Sequence, residues 1–95
     1  MGFTQMIEFD GSKADFESRM ARFKELTGDE STVRRVVLLA DRERPGCLIE
    51  LVEFDSWEDA CKNSELPGTK QAAAEAGFAE AKFRNLDVLA TYDIA

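Results

Sequence analysis

Residues 32–40 read TVRRVVLLA and residues 47–54 read CLIELVEF, with only DRERPG at 41–46 between them. β-Branched and aliphatic side chains dominate both runs, as they do in strands. Pro45-Gly46 punctuates the connection. Six residues are too few for a crossover, so the two strands form an antiparallel hairpin.

The chain on either side of this hairpin has a matching form. Residues 3–9, FTQMIEF, alternate. Phe3, Gln5, Ile7 and Phe9 share one face, and Thr4, Met6 and Glu8 the other. After Asp10-Gly11, Ser12 followed by Asp15 has the form of a helix start. Phe16, Met20, Phe23 and Leu26 then recur at helical spacing, and Gly28 stands where a helix end is expected. Beyond the hairpin, Asp55-Ser56 stops the third strand, and Ser56 followed by Asp59 repeats the capping pattern. Trp57, Ala60 and Cys61 give the second helix its apolar side. Leu66-Pro67-Gly68 interrupts it. Residues 69–81 are helical and Ala-rich, with Ala72, Ala73, Ala76 and Ala79 as a thin face that Gly77 ends or loosens. A fourth strand is expected over 83–94, clearest at 86–92. The order β-α-β-β-α-β predicts a single ferredoxin-like α+β domain over residues 1–95. Its four-stranded antiparallel sheet takes the order 4-1-3-2, with the helices on one face.

Helices on one face leave the other to solvent, and a solvated antiparallel face alternates cleanly with polar residues. These strands do not. Cys47, Ile49 and Leu51 oppose Leu48, Val52 and Phe54, and Val36 to Ala40 is apolar throughout. The simplest second cover is another copy of the same sheet, so a homodimer with sheets packed face to face is expected.

The chain has 95 residues and a formal net charge of −7, with most of the acidic excess beyond Leu48. Nucleic acid and anionic membranes are therefore poor partners. The exception, Arg34, Arg35, Arg42 and Arg44, reads as an anion site or as charges guarding a sheet edge. No apolar run approaches the roughly 18 residues of a membrane span, and a secretory leader pattern is missing at Met1 to Phe9. Cys47 and Cys61 are expected as buried, reduced thiols in a cytoplasmic protein. There is no histidine. Histidine-ligated haem and imidazole zinc sites are excluded, and a general base must be a perturbed Asp, Glu, Lys, Cys or Tyr. No calcium-loop or nucleotide-binding spacing occurs, so neither a metal nor a cofactor is expected.

The topology, the doubly apolar sheet and the stretch Phe54-Asp-Ser-Trp-Glu-Asp-Ala60 leading to Leu66-Pro67 resemble the dimeric α+β barrel superfamily. The likeness is to small antibiotic-biosynthesis-monooxygenase-like proteins and covers essentially the whole chain. The resemblance implies a pocket between sheet and helices. It spans activities from cofactor-free oxidation of polycyclic phenols to haem degradation, isomerisation and non-catalytic ligand sensing. The oxygenases place an Asn, a Trp and often a His or Arg in the pocket. Trp57 matches in kind, and Asn63 follows it on a segment expected to fray before Pro67. The first strand offers Gln5 in place of an Asn. The missing His disfavours haem degradation.

The expected ligand-pocket residues are Phe9, Phe16, Met20, Arg35, Glu50, Trp57, Asn63 and Tyr92. Trp57 either stacks on a flat ligand or anchors the start of its helix. Arg35 and Glu50 interrupt apolar strands and are positioned as a cross-strand pair, in the pocket or at the dimer face. Tyr92 offers a phenolic hydroxyl to a ligand or a contact to a second copy. Two functions follow as expectations. One is cofactor-independent oxidation or isomerisation of a small aromatic or polyketide-like molecule, which requires an open pocket. The other is a non-catalytic sensing or dimerisation module, which requires a closed core.

Overall fold

The computed structural model describes residues 2–77 and 80–95. Eight elements follow the expected order. They are β1 (Phe3–Asp10), α1 (Lys13–Thr27), a 3-10 turn (Gly28–Glu30), β2 (Arg35–Ala40), β3 (Cys47–Phe54), α2 (Trp57–Glu65), α3 (Pro67–Ala76) and β4 (Lys82–Asp87). The sheet runs β2-β3-β1-β4, all antiparallel, which is the ferredoxin-like order.

Local chemistry explains the boundaries. Ser12 accepts from the Asp15 amide at 3.2 Å and Ser56 from the Asp59 amide at 3.1 Å, so both capping sequences act as caps. Pro67 occupies the first turn of α3, where its missing N–H costs no hydrogen bond. Gly77 ends α3 at φ 64°, a left-handed conformation that favours glycine. Ala79 of the anticipated alanine face lies outside the described residues.

Two strands are shorter than expected. β2 begins at Arg35, because Ser31 and Thr32 turn towards α2 instead of pairing. Thr32 Oγ1 donates to the Asp59 carbonyl at 2.6 Å. β4 ends at Asp87, opposite Phe3, where its partner β1 begins. One further bond follows, from the Val88 amide to the Gly2 carbonyl at 2.9 Å. A strand on the sheet edge extends only as far as its single neighbour, so the apolar run at 86–92 mostly lies beyond the ladder.

The core cluster is Phe3, Ile7, Val52, Phe54 and Ala60, all on the helix side. Among the described residues no large side chain is fully withdrawn from solvent. Close-packed cores normally contain several. The gap between helices and sheet is therefore incompletely filled.

Candidate functional site

The alternation of three strands places Phe3, Gln5 and Ile7 of β1, Glu50, Val52 and Phe54 of β3, and Phe83 and Asn85 of β4 towards the helices. They form the floor of a cavity of about 440 Å³. Arg19, Met20 and Phe23 of α1 line one side. Ala72, Ala73 and Ala76 of α3 form the roof, and their small side chains leave the space open. α3 is held to α1 by Arg22, which meets Glu75 with two bonds, Nε to Oε1 at 2.9 Å and Nη2 to Oε2 at 3.1 Å.

The aromatic part of the wall is at Trp57. Its indole meets Phe3 edge-on at 5.0 Å and 64° while half of it stays exposed. Trp57 thus anchors α2 to the sheet and presents ring surface at the cavity rim.

The polar part includes Glu50, Asn63 and Thr69. Glu50 stands on β3, an interior strand, and is 6% exposed. Among the described residues no hydrogen bond or ion pair reaches its carboxylate. Burial pushes its pKa up to about 7, against a weaker opposite pull from the Arg19 charge. Asn63 is buried on α2, and its Oδ1 accepts from Ser31 Oγ at 3.0 Å. The residue sits in the body of α2 and does not fray. Thr69 Oγ1 is buried without a partner among the described residues.

The cavity brings Met20, Glu50, Trp57 and Asn63 together. Four other anticipated residues stand elsewhere. Phe9 and Phe16 stack on each other at 6.1 Å and 19°, closing the end of the helix–sheet gap. Phe9 also borders a second, more polar recess of about 460 Å³. Arg35 does not pair with Glu50. The hairpin register sets Arg35 opposite Glu53, and its Nε donates to Glu53 Oε2 at 2.9 Å on the outer face. Glu50 lies opposite Leu38 and faces the helices. Tyr92 is 80% exposed beyond the end of β4. Arg34 is likewise committed, to Asp55 at 2.6 Å. Cys47 is buried as expected, whereas Cys61 is exposed at the cavity wall.

Sequence reasoning passed over Arg19 and Thr69. Both had a signal. Arg19 falls three residues after Phe16 and four before Phe23, within the apolar stripe of α1. Thr69 precedes Ala72, Ala73 and Ala76 at the same helical spacings.

These features define a ferredoxin-like α+β protomer with a ligand-sized, mainly apolar cavity between its sheet and helices. No family model and no curated protein matches the sequence. Solved structures do. The chain is similar to SnoaB, a cofactor-independent oxygenase from Streptomyces nogalater, at 20% identity over 95% of both chains and a TM-score of 0.73. A protein from Deinococcus radiodurans, provisionally assigned as an antibiotic biosynthesis monooxygenase, matches at 16% identity, 100% and 99% coverage and TM-score 0.71. A dimeric ferredoxin-like protein of unknown function from Thermobifida fusca matches at 13% identity, 93% and 92% coverage and TM-score 0.66. The chain thus shares the fold of these three structures. No helix is long and apolar enough to cross a membrane among the described residues.

Proposed function

We propose that the cavity binds a small, flat, largely apolar molecule and that the protein oxidises it without a cofactor, as a monooxygenase-like enzyme. The unfilled space of about 440 Å³, with Trp57 on its rim and polar groups on its wall, carries this reading. Its size falls in the range of drug-sized ligand sites. The activity is drawn by analogy from the fold, which alone does not determine function. The chemistry balances without a cofactor. A phenol and O2 give a quinone and water, and the substrate supplies the electrons.

The test is a panel of polycyclic phenols and hydroquinones. Quenching of Trp57, the single tryptophan, reads binding. An oxygen electrode reads turnover. Saturable quenching with oxygen uptake is the expected result. Binding without uptake across the panel would replace catalysis with ligand sensing. Failure of every compound to bind would remove both readings.

The same reading includes a homodimer. Met6, Val37, Leu39, Ile49, Leu51 and Leu86 meet on the outer sheet face, and Leu39 and Leu86 are each 42% exposed. A contiguous apolar face of this kind marks an interaction surface.

A further inference from the structure

We propose that Glu50 is the proton acceptor of the cavity, taking the hydroxyl proton of a planar hydroxyarene that lies against Phe3 and Trp57. This rests on the reading of the cavity as a ligand site. It names the residue that handles the ligand's hydroxyl proton.

Three observations converge. Glu50 is nearly fully buried on the cavity floor, and no hydrogen bond or ion pair satisfies it among the described residues. Its carboxylate borders the cavity, so its acceptor positions are left to a donor that enters from outside the protein. Arg19 lines the same cavity and its charge acts on Glu50. The lining sets this one cationic side chain against two acidic ones, Glu50 and Glu65, and a neutral O–H donor adds no charge to that balance. The edge-on Phe3–Trp57 pair and Phe54 supply ring surface for an aromatic body.

The step is a proton transfer. The ligand O–H bond breaks, a carboxyl O–H bond forms, and the electron pair stays on the ligand oxygen. The Arg19 charge favours the resulting oxyanion. Burial makes Glu50 a stronger base than an ordinary carboxylate, with its pKa near 7.

2-Naphthol tests this directly. It becomes strongly acidic in its excited state, so its emission reports whether an acceptor touches its hydroxyl. 2-Methoxynaphthalene reports binding of the ring body alone. The bound naphthol is excited where tryptophan does not absorb, at about pH 8, above the Glu50 pKa of about 7. Naphtholate emission is expected from the wild type. In Glu50→Gln the naphtholate-to-naphthol ratio should fall by about tenfold or more.

A second readout needs no variant. On acidification of the wild type, the naphtholate band should disappear with a midpoint near 7. The titratable or charged groups facing this space are Arg19 from α1 and Cys61 and Glu65 from α2. No described residue of α3 or of the rest of the sheet adds another. Cys61→Ser and Glu65→Gln should leave the midpoint in place. Neutral emission from both proteins, or naphtholate from both, would overturn the role of Glu50 and leave the cavity reading standing. Absence of saturable binding by either probe would overturn the cavity reading and this proposal together.

Discussion

At the scale of single residues, Glu50 gives folding a pH signature of its own. Its carboxyl pKa rises from 4.5 to about 7 on folding. Between those values the folded protein holds a proton that the unfolded chain has released. Stability therefore decreases as pH rises from about 4.5 to about 7, and the loss persists above that window. A shift of this size corresponds to something on the order of 3 kcal/mol. Glu50→Gln should be more stable than the wild type near pH 8 and nearly equal to it near pH 4, as read by urea unfolding at both values. A variant less stable at the higher pH would mean that the ionised carboxylate is compensated inside the protein. Asn63 behaves differently, because it has a partner. Asn63→Ala leaves the Ser31 hydroxyl without its acceptor and should cost about 1–3 kcal/mol at both pH values, measured in the same titrations.

Among the elements, α3 depends on one close approach. A Cβ on Gly68 would fall 2.7 Å from the Leu26 carbonyl carbon and closer still to its oxygen. Backbone atoms cannot yield as side chains do, so Gly68→Ala should displace α3 from α1. A loss of about 1–3 kcal/mol and weaker ligand quenching of Trp57 are expected from thermal melts and titrations. Glycine is needed here for its size, a reason invisible in LPG, which reads only as a helix break. The same division runs through the fold. Caps, turns and apolar stripes are local, and Ser12, Ser56, Pro67 and Gly77 announced their elements. Register is not local. A shift by one residue exchanges the two faces of a strand. Arg35 and Glu50 look like partners in sequence, yet the turn pairs Ala40 with Leu48 and so sends them to opposite faces. Glu50 was legible as a charge in an apolar strand. Its solitude was not, since it depends on what four separate elements leave around it.

For the molecule as a whole, the outer face of the sheet is the surface on which the proposed homodimer rests. Leu51 lies at its centre, opposite both Met6 and Val37. Light scattering at micromolar concentration should give twice the protomer mass of 10.6 kDa. Leu51→Lys should give the monomer mass, because a lysine there would be buried without a counter-charge. A wild-type monomer would show that the apolar face serves another partner. The cavity lies on the far side of the sheet from this surface, and its roof has a separate status. α3 contributes no buried residue to the core, yet three of its alanines bound the cavity. The roof of the cavity can therefore change without touching the buried cluster, which forms part of its floor and wall. A lineage could trade alanine for valine or serine along this helix and try new guests one methyl at a time, while the residues that keep it folded stay as they are.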